Sequence, residues 1–153
     1  WLAERVGKWT FTGTMVMGPG VTIDVRGSTT YSMILGGRFL QESMEMKMGE
    51  MPYRGIGTTG YSNGLEEFQM TWMGEGSTTM TVGSGKRSDD GRTLNATYQM
   101  FDPAHGAMMT TRSVETTIDN DNFKFAMYGP GPDGKETLMF EFMYTREAPT
   151  RVW

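Results

Sequence analysis

The sequence predicts an all-β protein, folded as one antiparallel up-and-down β-barrel of about ten strands that occupies residues 1–153 as a single domain. Apolar and polar residues alternate along most of the chain, and successive side chains of a strand point to opposite faces of a sheet. The alternation is clearest over residues 21–35, where Val21, Ile23 and Val25 share one face. Strands that each carry one apolar face must close on themselves or stack. A two-sheet sandwich is the alternative, but it usually needs longer crossovers between its sheets.

The elements follow from this alternation and from the turn residues that interrupt it. Residues 1–6 predict a short amphipathic helix that plugs one end of the barrel. Gly18-Pro19-Gly20 and Asn63-Gly64 are typical of tight turns, and Asn-Gly is a strong hairpin signal. We expect strands over 8–17, 21–35, 38–48, 53–61, 67–73, 78–86, 92–101, 108–118, 123–128 and 136–146.

Composition excludes several classes of function. A formal net charge of -4 and a lack of any long basic run argue against a nucleic-acid partner. No apolar run approaches the roughly 18 residues that a membrane-spanning helix needs. The absence of cysteine excludes disulfides, thiol nucleophiles and zinc–thiolate sites. Because the sequence begins at Trp1 rather than Met, one expectation is a cleaved signal peptide and an exported, periplasmic or secreted protein.

Methionine is unusually frequent, with 16 residues, and most of these fall on the predicted inward face. A ten-stranded barrel is wider than the eight-stranded kind that side chains can just fill, so it tends to keep a cavity. Flexible thioethers suit an apolar ligand, although they also fill ordinary cores. Met44, Met46 and Met48 on one strand face leave Cu(I) coordination as a third interpretation. The predicted cavity lining is Met44, Met46, Met70, Trp72, Tyr98, Met100 and Phe140.

Two charged residues, Glu42 and Arg112, occupy predicted inward positions. Burying a charge is costly unless it is paired, so one interpretation is an internal ion pair or a side chain that reaches the barrel rim. The functional interpretation is that Arg112 binds the anionic head of a ligand, with hydrogen bonds from Tyr61, Tyr98 and Tyr144.

No arrangement typical of catalysis is present in the sequence. The single histidine, His105, lies in a predicted loop without a visible partner, and a Ser-His-Asp triad would depend on it alone. Asp89-Asp90 and Asp119-x-Asp121 are typical of acidic turns and lack the spacing of a calcium loop. We therefore predict no catalytic residue, no metal site and no cofactor.

Several motifs resemble known families. Gly7-Lys8-Trp9 on the first strand together with Arg146 on the last resembles the lipocalin and wider calycin pattern, in which the arginine packs over the tryptophan and closes the barrel base. A closer resemblance, to the uncharacterised DUF1579 family, runs over nearly the whole chain and rests on residues 2–9, 34–40, 52–57, Gly60-Tyr61 with Asn63, Trp72, Asp102-Pro103, Arg112 and 144–146. The family's usual Gly-Tyr-Asp-Asn stands here as Gly60-Tyr61-Ser62-Asn63. The resemblance implies a lipocalin-like barrel and brings no activity or catalytic residue with it.

Three classes of function remain open at this stage. The first is a carrier that binds a small hydrophobic or amphiphilic molecule in a cavity lined by methionine and aromatic residues. The second is a structural protein with a filled barrel, which would assemble into homo-oligomers through outward residues such as Met73, Met109, Met139 and Met143. An enzyme is the third, because a barrel mouth can acquire chemistry that no linear motif reveals.

Overall fold

The computed structural model describes residues 1–103 and 105–148. Within these residues the chain forms a closed barrel of ten antiparallel strands in the order of the sequence, so the predicted all-β barrel is confirmed. The predicted N-terminal helix is a single 3-10 turn, Leu2–Arg5, and the described residues contain no helix long and apolar enough to cross a membrane. Position 104 of the predicted loop 102–106 and residues 149–153 of the predicted domain lie outside the described residues. The strands are β1 (Gly7–Gly18), β2 (Val21–Ile34), β3 (Phe39–Met48), β4 (Met51–Ser62), β5 (Glu67–Gly74), β6 (Thr81–Arg87), β7 (Thr93–Asp102), β8 (Ala107–Thr117), β9 (Asn122–Pro130) and β10 (Glu136–Arg146).

Pairing of the first and last strands closes the barrel. Trp9 lies opposite Arg146, and Phe11 lies opposite Tyr144. Since β1 also pairs with β2 along its length, each of the ten strands has two hydrogen-bonded neighbours, and the described residues leave no sheet edge open.

The 3-10 turn covers the end of the barrel at which β1 begins, which we call the plugged end. The Arg146 guanidinium lies 4.1 Å from the centre of the Trp9 ring, which is the contact implied by the lipocalin resemblance. Arg146 also donates hydrogen bonds to the carbonyls of Val6 and Glu4, and the Trp9 indole N–H donates to the carbonyl of Arg5 at 2.8 Å. These bonds satisfy backbone groups that the short turn leaves unpaired and fix it to the sheet.

Aromatic side chains fill the barrel next to the plug. Phe123 stacks on Tyr144 with ring centres 4.3 Å apart, and Trp9 meets Phe123 edge to face at 4.9 Å. Trp9 is fully buried and Phe123 is 1% exposed. This half of the barrel is a packed core, and packing loosens towards the opposite end, which holds a cavity.

The face predicted for β8 is wrong. Thr111 and Ser113 are each 2% exposed and face inward, whereas Arg112 points outward. Alternation from the apolar residues Met108 and Ile118 favours the opposite face, but Met108 lies at the start of the strand, Ile118 follows its end, and both are exposed. Small polar residues fit the inner face here because the cross-strand partners of Thr111 and Ser113 on β7 are Tyr98 and Ala96, which fill the adjacent space.

Two smaller differences concern β6 and β10. Alternation of apolar and polar residues predicts Val82 on the inner face of β6, but it is 53% exposed, because Gly83 and Gly85 face inward and leave room for Tyr98 and Ala96 of β7. Met139 was expected outside, but a bulge between Leu138 and Phe140 turns it inward against the core. A bulge adds one residue to a strand and reverses the faces on one side of it.

Candidate functional site

The barrel encloses a cavity of about 330 Å³. It extends from beneath the plug, where Arg5 and Tyr31 border it, to the opposite end of the barrel, where Met48, Gly76 and Phe101 border it. We call this second end the mouth. The volume lies near the lower limit of the roughly 300–1,000 Å³ that is usual for small-molecule sites.

Methionine thioethers form much of the apolar wall. Met44, Met46 and Met48 occupy every second position of β3 and face inward, with Met48 at the mouth. Across the barrel, the Tyr98 hydroxyl lies 3.1 Å from the Met70 sulfur. These unbranched side chains can adjust their torsions to the shape of a bound molecule.

Trp72 forms a flat aromatic wall, and two glycines make its position possible. A Cβ atom at Gly55 would lie 2.2 Å from the indole, and one at Gly57 would lie 3.0 Å from it, so the ring rests directly on bare backbone. The indole N–H donates a hydrogen bond to the Tyr53 hydroxyl at 3.0 Å. The indole is therefore held in place at both its face and its edge.

Glu42 is the polar group that projects into the cavity from β3. Its Oε1 accepts a hydrogen bond from the Thr29 hydroxyl at 3.0 Å, and the Tyr31 side chain also hydrogen-bonds to it. No basic side chain in residues 1–103 or 105–148 forms an ion pair with this carboxylate. Enclosure within the barrel raises the pKa of Glu42 to about 7, despite the opposing effect of the hydrogen bonds from Tyr31 and Thr29. The group is thus poised between its neutral and charged forms near neutral pH.

A second glutamate, Glu115, faces the same interior from β8 but is paired. The Arg5 guanidinium donates two hydrogen bonds to Glu115 Oε1, at 2.8 and 3.0 Å, and a third to the Thr117 hydroxyl at 2.7 Å. Desolvation by burial raises the pKa of Glu115, and the charge of Arg5 opposes that rise. This pair is not evident from the sequence, because alternation that puts Arg112 on the inner face of β8 puts Glu115 on the outer one, and Arg5 belongs to the distant plug. Its signal is the register of the β7–β8 hairpin, in which Glu115 is the cross-strand partner of the inward Leu94.

The two glutamates give the interior a negative potential, which the buried tyrosines also experience. Burial raises the pKa values of Tyr31, Tyr98 and Tyr144, and the nearby Glu42 and Glu115 charges raise them further. These hydroxyls therefore remain neutral donors and acceptors at the base of the cavity.

Most residues proposed for the site share this one cavity, and two do not. Arg112 lies on the outer wall, where it forms two hydrogen bonds with Glu136 at 2.9 and 2.8 Å, so its assignment as a ligand anchor is wrong. Tyr61 lies at the plugged end, 46% exposed, with its ring 5.0 Å from that of Phe68, and it does not line the cavity. The residues that do line it are Glu42, Met44, Met46, Met70, Trp72, Tyr98, Met100, Phe140 and Tyr144.

Among the described residues, no three His, Asp or Glu side chains are grouped in a way that suits a metal ion. His105 Nδ1 lies beside the Asp102 carboxylate, in the loop between β7 and β8. The histidine side chain is 81% exposed, and neither residue lines the cavity. The cavity is therefore a site of hydrogen-bonding and apolar groups, and its Glu42 carboxylate has hydrogen bonds but no ion-pair partner among the described residues.

Comparison with known proteins relates this barrel to others. The solved structure of Rv2717c from M. tuberculosis is similar, with a TM-score of 0.73 and 11% identity over 96% of this chain and 95% of that one. The S-type phycobiliprotein lyase CPES from Guillardia theta is also similar, with a TM-score of 0.68 and 11% identity over 97% of this chain and 92% of that one. No curated protein matches the sequence significantly. At such identities the two structures establish the fold alone. The sequence profile of DUF1579, described as proteins of unknown function, matches residues 1–146, and the chain belongs to that family.

Proposed function

We propose that this protein binds a small hydrophobic or amphiphilic molecule inside the barrel. The observation that carries the proposal is the cavity of about 330 Å³, whose wall is mainly methionine and aromatic and whose inner end holds Glu42. An apolar site with a few converging polar groups is the usual form of a small-molecule site. The apolar part of the ligand lies between Trp72 and the β3 methionines, with its polar end towards Glu42.

The orientation follows from the two ends of the cavity. The plugged end is blocked by the 3-10 turn and its bonds to Arg146 and Trp9. The mouth is bordered by Met48 and by Gly76 of the loop after β5. A ligand therefore enters at the mouth with its polar end leading. A phycobiliprotein lyase has a barrel of similar fold. This likeness supports ligand binding only in a general way, because one fold can serve many functions.

The alternative role in self-assembly has less support. Met73 on β5 and Met143 on β10 are exposed, but these strands lie on opposite sides of the closed barrel. Met139 packs inward, and Met109 is partly covered. The methionines expected to form one outward patch therefore do not lie together.

Native mass spectrometry of protein purified from its own source, compared with its denatured mass, tests the proposal directly. We expect a small molecule that is released on denaturation. A second assay follows the fluorescence of the neutral dye N-phenyl-naphthylamine, which increases in an apolar cavity. Saturable dye binding at one site per chain is the expected result.

Two adjacent threonines on β4 provide a matched pair of variants. Thr59 borders the cavity, whereas Thr58 is absent from the lining and lies on the outer face of the same strand. Thr59→Phe should fill the cavity and weaken dye binding by about tenfold or more, while Thr58→Phe should leave it unchanged. Circular dichroism must show that both variants are folded. Equal dye binding by the two folded variants would refute binding inside the barrel.

A further inference from the structure

We propose that the polar end of the ligand is a cation, namely a primary or secondary ammonium group that heads an apolar chain and pairs with Glu42. This inference rests on the proposed function and specifies its ligand class. It depends on the charges inside the barrel, on the way the barrel holds a cation of its own, and on the space beside Glu42.

The charged groups that border the cavity do not balance. Glu42 and Glu115 are both enclosed, and Arg5 is the one basic side chain among the described residues of the lining. Arg5 is already engaged by Glu115 at 2.8 Å, with side-chain exposures of 4% and 13%. Ionised Glu42 therefore leaves an uncompensated negative charge, which a ligand cation would neutralise.

The barrel already encloses one cation of its own, the Arg5 guanidinium. The Arg5 guanidinium is held by a carboxylate and by aromatic faces, since it lies 4.3 Å from the centre of the Phe123 ring and 5.3 Å from that of Trp1. Carboxylates and aromatic faces both attract positive charge, and the attraction to the rings grows when water is excluded.

The space beside Glu42 is bordered by the same two kinds of group, a carboxylate and an aromatic face, and no basic side chain of residues 1–103 or 105–148 pairs with the carboxylate there. A Cβ atom at Gly57 would lie 3.0 Å from the six-membered ring of Trp72 and 3.5 Å from Glu42 Oε2, so the carboxylate and the indole border the same point. Because Gly57 has no side chain, no side-chain atom of this residue lies between the Glu42 carboxylate and the Trp72 indole. Oε1 accepts the hydrogen bond from Thr29, and Oε2 is the oxygen that lies next to Gly57 and the indole, where a ligand cation would sit.

Other head groups fit this site less well. An anionic head would meet the uncompensated charge of ionised Glu42 in a region of low dielectric and would be repelled, while Arg5 is already paired with Glu115. A neutral hydroxyl or carbonyl head gains only an ordinary hydrogen bond from Glu42, which is weaker than a bond between two charged groups.

Binding of an ammonium group should depend on pH in a defined direction. The pKa of Glu42 is about 7 in the free protein, and only the ionised form attracts the cation. Affinity for an ammonium ligand should therefore fall by about tenfold for each pH unit below 7, and should level off above it. The titratable and charged groups that border the cavity with Glu42 are Arg5, Tyr31, Tyr53, Tyr98, Glu115 and Tyr144.

The test compares three probes with the same chain length, octylamine, octanol and octanoate, each displacing N-phenyl-naphthylamine. At about pH 8 we expect octylamine to bind about tenfold or more tightly than octanol, and octanoate to bind most weakly. Glu42→Gln should remove the preference for octylamine while octanol and the dye still bind. Glu45→Gln is the matched control, because Glu45 is exposed on the outer face of the same strand, and it should keep the preference.

The outcomes separate the two proposals. Similar affinities for octylamine and octanol, or a preference that survives Glu42→Gln, would overturn the cationic ligand and leave cavity binding intact. Failure of the dye and of all three probes to bind would overturn both. If Glu42→Gln does not fold, the wild-type pH profile decides, because a ratio of octylamine to octanol affinity that is constant below pH 7 refutes the pairing.

Discussion

Glu115 and Glu42 are two glutamates in one interior with different partners. Glu115 receives two bonds from Arg5 and lies against the packed aromatic end of the barrel. Glu42 is five strands around the sheet from it, on the opposite side of the barrel, between the Thr29 hydroxyl and the open space of the cavity. Burial raises the pKa of both, but within the part of the chain that the structure describes only Glu115 has a cation beside it. We therefore assign the paired carboxylate to the structure and propose that the other one is available to a ligand.

The largest effect should come from removing the cation of the structural pair. Arg5→Ala leaves Glu115 buried without its partner, and breaking a buried pair in this way typically costs about 3–5 kcal/mol. We expect a loss of this size in the free energy of unfolding at neutral pH, measured by urea denaturation. The loss should be smaller at low pH, where Glu115 is protonated. A loss close to zero at neutral pH would mean that the two glutamates do not differ as described.

Removing the charge of Glu42 should have the opposite sign. The folded-state pKa of about 7 lies above the ordinary value of 4.5 for a glutamate, so the folded protein holds this proton more tightly than the unfolded chain. The resulting stabilisation is present below pH 4.5 and is lost as pH rises to about 7, by about 3 kcal/mol in total. Gln stays neutral at every pH, so the Glu42→Gln variant does not lose this stability as the pH rises. Above pH 7 the variant should therefore be more stable than the wild type.

Urea denaturation across this pH range measures the difference between wild type and variant. Glu45→Gln, on the outer face of β3, should leave the pH profile of stability unchanged. A Glu42→Gln variant that is less stable than the wild type at pH 8 and above would show that the carboxylate has a structural role like that of Glu115. Greater stability combined with weaker ammonium binding is instead typical of a residue kept for function.

The apolar and polar alternation of the strands explains which features of the fold could be predicted from the sequence. Period-two alternation is strong and repeated, and a barrel must hide all apolar faces, so the closed ten-stranded fold follows from local pattern alone. Strand β3 shows this well, because its methionines and Glu42 keep one face from Leu40 to Met48. Most of the cavity wall was therefore predicted together with the fold.

The errors arose where local pattern did not determine the face. Thr111 and Ser113 are small and polar, so nothing in β8 itself marks them as inward, and only the register with β7 does. The bulge in β10 turns the Met139 side chain from the outer to the inner face, and no obvious feature of the sequence indicates it. Arg5 and Glu115 are 110 residues apart, and their pairing depends on how the plug meets the far wall. Alternation along a strand predicts which face a side chain takes. The side chain that it then contacts depends on the register between strands and on how the barrel closes.

The smallest effect should come from replacing Arg112. Its ion pair resembles that of Arg5 but is exposed, so comparing the two separates the effect of burial from the effect of pairing. Arg112 and Glu136 form two short hydrogen bonds, as Arg5 and Glu115 do, but their side chains are 42% and 49% exposed. Water screens such a pair and solvates whichever partner remains, so exposed pairs contribute little. Arg112→Ala should therefore barely change the urea midpoint and should leave the affinities for octylamine and octanoate unchanged. A destabilisation as large as that of Arg5→Ala would show that pairing matters more than burial. Weaker octanoate binding would restore Arg112 as an anchor for an acidic ligand, and would contradict its place on the outer wall.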